Sequence, residues 1–494
     1  MGQKLMNLMK KEKPEPEPEI DPLTEQELEA LARRTRRLGA YRQLFSSIVI
    51  SFTFLVMGSS VGWTSPVLYN MRETGQPMNL STSDATVMVS VYYLGNAVMP
   101  IPSGILSDVK GRKSSLSCLL IFPFVSWVLI YFAKRPVVLH VARLLAGMWT
   151  GIVITVGPMY LAELAQPQYR GALSTLLMIL ANLGALLAMV IGMRVSYWTM
   201  AVVFGLTPVI SFVTLIFVPE SPYWLVFTGQ RDKAASNLAW LRGHQEVEGV
   251  KDEMEDLIVA MESKSQQGRF NNMLSIFTNS GNREAFFIVE AISIFQRLSG
   301  VSAIIAYVSI TLPDVNIGAL SFRNSQWILT IIWTLSVLIT PFIIDRMGRV
   351  PLLLISSVGC ALSNFALSVW FYFHQSISYY VVPWFPFFMI SVYGVFVNIG
   401  INPIATTLQG EMFPAELKGI ASGITAIVVA FVSFLTCFCY LIIRDHIGMY
   451  FNYLYFGIAC TFCAVFSYTN VLETKGKTLL QIQNELQRRN LNYH

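Results

Sequence analysis

Charge is what this chain has least of. Only 13% of its 494 residues are Asp, Glu, Lys or Arg, against 54% apolar, a balance that excludes a string of ordinary soluble domains and argues for lipid as the solvent. Cysteine is also sparse. All six (Cys118, Cys360, Cys437, Cys439, Cys460 and Cys463) fall inside apolar runs, which speaks for packing and against disulfides or a metal site, the Cys460-Thr-Phe-Cys463 spacing included. No Gly-rich phosphate loop, zinc-ligand set or catalytic triad is present, so an enzyme, a cofactor and ATP as an energy source are all unexpected. Nor is a secretory leader expected, because largely polar residues fill the first 44 positions and the apolar run that follows is long enough to remain as an anchor.

What is present is a series of about twelve apolar runs of membrane-crossing length. In the first half they are Phe45 to Pro66, Ala85 to Leu106, Ser115 to Ala133, Val137 to Leu161, Gly171 to Gly192 and Tyr197 to Val218. In the second they are Ala285 to Ile310, Asn324 to Ile344, Pro351 to Phe371, Tyr380 to Ala405, Gly419 to Tyr440 and Met449 to Tyr468. Backbone polar groups in hydrocarbon must be satisfied locally, so these runs read as helices. The fold class expected is an all-α membrane protein of about twelve transmembrane helices in two six-helix bundles. The chain divides into an N-terminal tail (1–44), a first bundle (45–218), a linker (219–284), a second bundle (285–468) and a C-terminal tail (469–494).

Lys and Arg gather in the tails and in alternate loops, which puts both termini and the linker in the cytosol. The sequon Asn79-Leu-Ser81 falls in the first external loop and marks Asn79 as a glycosylation acceptor. Within the N-terminal tail, Lys11 to Asp21 is Pro- and Glu-rich and reads as disordered, while Glu25 to Arg37 reads as a surface helix ending in an Arg cluster near the headgroups. In the linker, Arg231 to Gly243 and Val247 to Lys264 read as short amphipathic helices.

One charged signature is written twice. Asp108-Val-Lys-Gly111-Arg112-Lys113 is followed by Glu163, by Arg170-Gly171 seven residues on, and by Pro219-Glu220. Asp345-Arg-Met-Gly348-Arg349 is followed by Glu411, by Lys418-Gly419 seven residues on, and by Glu473. The order implies one ancestral unit duplicated, and two bundles that rock about a central pathway need latches where helix ends meet water. Asp108, Arg112, Glu163, Arg170 and Glu220 in the first copy, and Asp345, Arg349, Glu411, Lys418 and Glu473 in the second, are the gating candidates. Arg143, inside the fourth run, is expected to meet one of the repeated glutamates.

With those residues assembled, the chain resembles the sugar porter family of the major facilitator superfamily along essentially its whole length. The marks are Asp108-x-x-Gly111-Arg112-Lys113, Pro158-x-Tyr160-x-x-Glu163 to Arg170-Gly171, Pro219-Glu220-Ser221-Pro222-x-Trp224-Leu225, Gln296-x-Leu298-Ser299-Gly300 and Glu473-Thr474-Lys475-Gly476. Gly62-Trp63-Thr64-Ser65-Pro66 and Glu473 to Leu479 look most like insect facilitated trehalose and glucose transporters. The resemblance implies a facilitative sugar carrier in the plasma membrane whose partners are the bilayer and a small solute, with no nucleic acid and an undefined oligomeric state.

The same resemblance shows departures where the family holds sugar. Two adjacent glutamines and a later asparagine of the seventh span become Gln296, Arg297 and Ser302. The fifth-span glutamine falls at Met178, an eighth-span asparagine at Trp333 and an eleventh-span asparagine at Val429. The tenth-span pattern becomes Gly400-Ile-Asn402-Pro403-Ile404-Ala405-Thr406, without its stacking aromatic. Gln296, Ser299, Ser302, Tyr307, Asn398, Asn402 and Thr406 still offer polar contacts, Asn182 faces either the cavity or a neighbouring helix, and Trp333 offers a ring from another helix. Arg297, near mid-membrane, binds either an anionic or polar solute or a structural carboxylate. The first-span acid of proton-driven relatives is Thr64 here, which implies diffusion down a gradient. Two rivals remain: a carrier of another polar or anionic metabolite through Arg297, and a non-transporting receptor or sensor with a degenerate sugar site.

Overall fold

The computed structural model describes residues 25–265, 276–312, 322–376, 384–477 and 479–492. Those residues are almost entirely helical, and no strand occurs among them. Lys11 to Asp21 lies outside the described residues, as does the side chain of Asp345.

The first half opens with α1 (Glu25–Gly62) and α2 (Thr64–Thr74), joined at Trp63. Glu25 to Arg37 is therefore the start of the first spanning helix and not a separate surface helix. Nothing between Arg37 and Phe45 breaks a helix, and the linker holds this stretch in place: Arg42 lies over the Trp240 ring at 5.1 Å and donates to the Trp240 carbonyl at 2.8 Å. The second run is divided between α3 (Thr82–Val98) and α4 (Pro100–Lys110), because Pro100 has no N–H to continue the ladder. Then come α5 (Arg112–Leu119), α6 (Ile121–Phe132), α7 (Pro136–Leu164), α8 (Pro167–Gly192) and α9 (Tyr197–Ile216).

The linker contributes α10 (Pro222–Phe227), α11 (Arg231–Arg242), a 3-10 turn at Val247–Val250 and α12 (Lys251–Ser265). In the second half, α13 (Ser280–Leu298) and α14 (Val301–Thr311) are separated by a break at Ser299-Gly300. They are followed by α15 (Phe322–Met347), α16 (Arg349–Ser376), α17 (Phe385–Ile399), α18 (Ile401–Met412), α19 (Ala415–His446), α20 (Met449–Asn470) and the tail helix α21 (Leu479–Asn492). Among the described residues, 10 helical segments are long and apolar enough to cross a membrane, and Trp327–Thr340 is a shorter apolar helix. The α3–α4 pair carries the remaining run.

Lipid gives helices no hydrophobic reason to associate, so close backbone approach and buried polar contacts must hold them. Accordingly, α1 packs on α8 and α3 on α7 through small residues. A Cβ added at Gly58 would stand 1.8 Å from the Ala181 carbonyl oxygen, and one at Gly147 equally close to that of Tyr92. In the second half α16 packs on α20 and α17. The two halves touch through α3 with α19, α2 with α14 and α8 with α15, and these contacts concentrate at the end away from the linker. Nearer the linker only a smaller contact, of α4 with α19, is made, and no ion pair joins the halves among the described residues.

Candidate functional site

At the linker end of each half, the repeated charges build the same clasp. In the first half Arg112 forks onto Glu163, with Nε and Nη2 both 3.0 Å from carboxylate oxygens, while Nη1 reaches Asp108 at 3.3 Å. In the second, Arg349 forks onto Glu411 at 3.2 and 2.7 Å. A hydroxyl completes each pair: Ser221 donates to Glu163, and Thr474 to Glu411.

Glu220 and Glu473 do something the sequence pattern did not suggest. Each carboxylate accepts backbone N–H groups from the first turn of a helix. Glu220 takes those of Arg112 and Lys113 at 2.9 and 3.0 Å, and Glu473 those of Arg349 and Val350 at 3.0 and 2.9 Å. They cap the starts of α5 and α16, where unsatisfied donors and the helix dipole favour an anion. The glycine just before each helix makes room. Gly111 and Gly348 have φ of 99° and 89°, and a Cβ there would lie 2.3 and 2.9 Å from the capping carboxylate oxygens. Where the second copy has Val350 in place of Lys113, Lys475 of the tail supplies the amine, donating to the Arg346 carbonyl at 2.7 Å. Arg170 is exposed, with no side-chain partner among the described residues, and Lys418 reaches only the Gly410 carbonyl, at 3.1 Å.

Arg143 does not meet a repeated glutamate. It is buried, 2% exposed, donates to the Ser60 carbonyl at 2.6 Å and to Thr64 Oγ1 at 3.0 Å, and lies over the rings of Trp63 and Tyr92. The reason is depth: the clasp glutamate on the same helix is Glu163, 20 positions and about 30 Å further along. The helix is interrupted at Trp63, between α1 and α2, one turn from the Ser60 carbonyl that accepts the guanidinium.

The second-half polar candidates fall into two sets. Gln296 Nε2 donates to Asn402 Oδ1 at 2.9 Å, Asn402 Nδ2 to Asn398 Oδ1 at 3.0 Å, and Asn398 Nδ2 to the Trp333 carbonyl at 3.4 Å, a ladder of amides across α13, α18, α17 and α15. Arg297 Nη1 donates to Ser302 Oγ at 3.4 Å, and Ser302 donates to Ser433 at 3.1 Å. Ser433 and Tyr393, which meets Ser299 at 3.1 Å, were not singled out by sequence. Both are ordinary residues of apolar helices until the register between helices is known.

Other candidates are placed differently. Tyr307 is fully buried, stacked on Tyr440 at 5.2 Å with its hydroxyl donating to the Cys437 carbonyl. Trp333 is packed into the space a Cβ on Gly394 would need and is 8% exposed. Met178 and Thr406 are exposed, Thr406 donating to the Pro403 carbonyl and Asn182 to that of Met178. Glu290 accepts from Thr425 Oγ1 and pairs with no cation among the described residues. Asn79 is exposed, two residues before Ser81, which caps α3 by accepting from the Asp84 N–H at 3.1 Å.

Comparison with known proteins places this architecture. The model of the family "Sugar (and other) transporter" matches residues 39–486. The facilitated trehalose transporter Tret1 of Bombyx mori is 28% identical over 453 residues, covering 92% of this chain and 88% of that protein. Tret1 of Drosophila mojavensis is 28% identical over 461 residues, 93% of this chain, which spans only 53% of that relative's length. The xylose transporter XylE from E. coli, solved in a partially occluded inward-open conformation, superposes with a TM-score of 0.73 at 21% identity, over 88% of this chain and 99% of that one. With a family match running from α1 into α21 and the two-bundle fold of a major facilitator transporter, the chain belongs to the sugar (and other) transporter family.

Proposed function

We propose that this protein is a facilitative carrier that moves a sugar-class solute across a membrane by alternating access, trehalose and glucose being the neutral members to test first. The observation that carries the reading is the amide ladder Gln296–Asn402–Asn398 in the second bundle, beside Arg297, in which Gln296 is buried and Asn398 and Asn402 are partly exposed. Neutral donors and acceptors in series suit a polyhydroxylated solute, each hydrogen bond contributing about 1 kcal/mol net. Saturable uptake of labelled trehalose or glucose by the reconstituted full-length chain tests it. Correctly folded protein that moves neither these nor any other polar metabolite would favour the receptor reading.

The larger contacts between the halves at the far end, with no ion pair between them at the linker end among the described residues, support a carrier resting open on the linker side. We assign that side, the tails and the linker to the cytosol at the plasma membrane. Closing it brings Arg170 and Lys418 toward the opposite half, where they join Glu163 and Glu411 as latches. Each latch contributes only on the order of 1 kcal/mol, so that the two states stay close enough to interconvert. Arg170→Ala and Glu411→Ala are expected to slow uptake while solute binding persists. Asn79, on the opposite face, is the glycan acceptor, and Asn79→Gln should abolish the mobility shift that a glycosidase produces. Thr64 has no titratable proton and accepts from Arg143, so uptake should not respond to a pH gradient.

A further inference from the structure

Two guanidiniums stand near the contact between the halves, and neither has a carboxylate among the described residues. Arg143 of α7 is sealed among the Ser60 carbonyl, Thr64, Trp63 and Tyr92, and its Nε has no partner. Arg297, in the last turn of α13, is partly exposed. Its one hydrogen bond, to Ser302 Oγ, is long at 3.4 Å, and its buried Nε is also unpartnered. Tyr92 and Tyr93 of α3 lie between the two cations. Arg143 sits 4.5 Å from the Tyr92 ring centre, Tyr92 meets Tyr93 edge-on at 5.2 Å, and Tyr93 lies against Ser302 and Cys437 of the other half. A cavity of about 10 Å³ on the Arg143 side, lined by Thr64, Tyr92, Tyr93, Arg143, Ile305 and Ala306 among others and not by Arg297, is shared by both halves. Glu290, two turns before Arg297 on the same helix, is held by Thr425.

Rings and hydroxyls orient a guanidinium but do not neutralise it, and a bare cation at this depth is costly. Where a structural ion pair is built, as for Arg112 with Glu163 and Arg349 with Glu411, this chain supplies the carboxylate. For Arg297 it supplies none among the described residues. Arg143 is 2% exposed whereas Arg297 is partly exposed, so Arg297 is the cation a solute can reach, and its planar fork matches a carboxylate. Gln296, its neighbour in sequence, begins the amide ladder. We propose that the preferred solute carries a carboxylate beside its hydroxyls, a sugar acid, with the carboxylate on Arg297 and the hydroxyls on Gln296, Asn402 and Asn398. The inference rests on the carrier reading and sharpens its solute.

The test uses full-length protein in liposomes with labelled glucuronate and labelled glucose, under a potassium-clamped membrane potential. Saturable glucuronate uptake that accelerates when the interior is made positive is expected, because each uncompensated transfer carries one negative charge inward. Arg297→Gln should lower the ratio of glucuronate to glucose uptake by about tenfold or more. Should that variant fail to fold, the potential dependence of the wild type decides alone. Glucose uptake without glucuronate uptake, or a ratio unmoved by Arg297→Gln, would overturn the inference and leave the carrier reading standing. Movement of neither solute would overturn both.

Discussion

Glu473 illustrates how a single carboxylate can hold a membrane bundle together outside the membrane. Burial alone would raise its pKa, but the N–H groups of Arg349, Lys475 and Val350, with the Arg349 charge, together hold the carboxyl below its ordinary value. A depressed native pKa means the cap stabilises the fold above the unfolded-state value and is lost as pH falls through the native one. In detergent, the melting-temperature gap between wild type and Glu473→Gln should therefore be widest near neutrality and close as pH drops below about 4.3. A gap independent of pH would remove the carboxylate from this role. That Glu473 matters was legible from its recurrence, but its partners were not, because backbone N–H groups leave no mark in a sequence. Arg143 was misread for a related reason: which residues face it depends on the relative depth of four helices, and no motif records that depth.

At the scale of elements, the starts of α5 and α16 are each set by one glycine and one distant glutamate. Gly348→Ala forces a left-handed backbone on a residue with a Cβ, at about 1–2 kcal/mol, and pushes the Glu473 carboxylate off its donors. Gly111→Ala should do the same to Glu220. Both variants should melt several degrees lower, whereas Gly419→Ala, with open space around it, should not. Equal melting of all three would sink the cap argument. Most helices could be read from their apolar runs, and the interruption at Pro100 followed from its missing N–H. The continuity of α1 through Arg37 could not, because the tail is steadied by Trp240 and Leu241, some 200 positions away.

For the whole molecule, the asymmetry between the two ends is the informative feature. Thr330 of α15 touches Met189 of α8 across the halves, so a disulfide between Met189→Cys and Thr330→Cys should arrest uptake and a reductant should restore it. Uptake unaffected by the cross-link would mean these ends never part. The twofold plan of the molecule was legible because the charges repeat in order, whereas the solute was not, since the amide ladder joins residues more than 100 positions apart. The clasps also carry a consequence for connectivity. Arg112, Glu163 and Glu220 all precede the linker helices, and Arg349, Glu411 and Glu473 all follow them. A nick between Ser265 and Ile276 would part no clasp from its own carboxylate, so two separately translated polypeptides should meet in the bilayer and assemble into a working protein without a covalent tether.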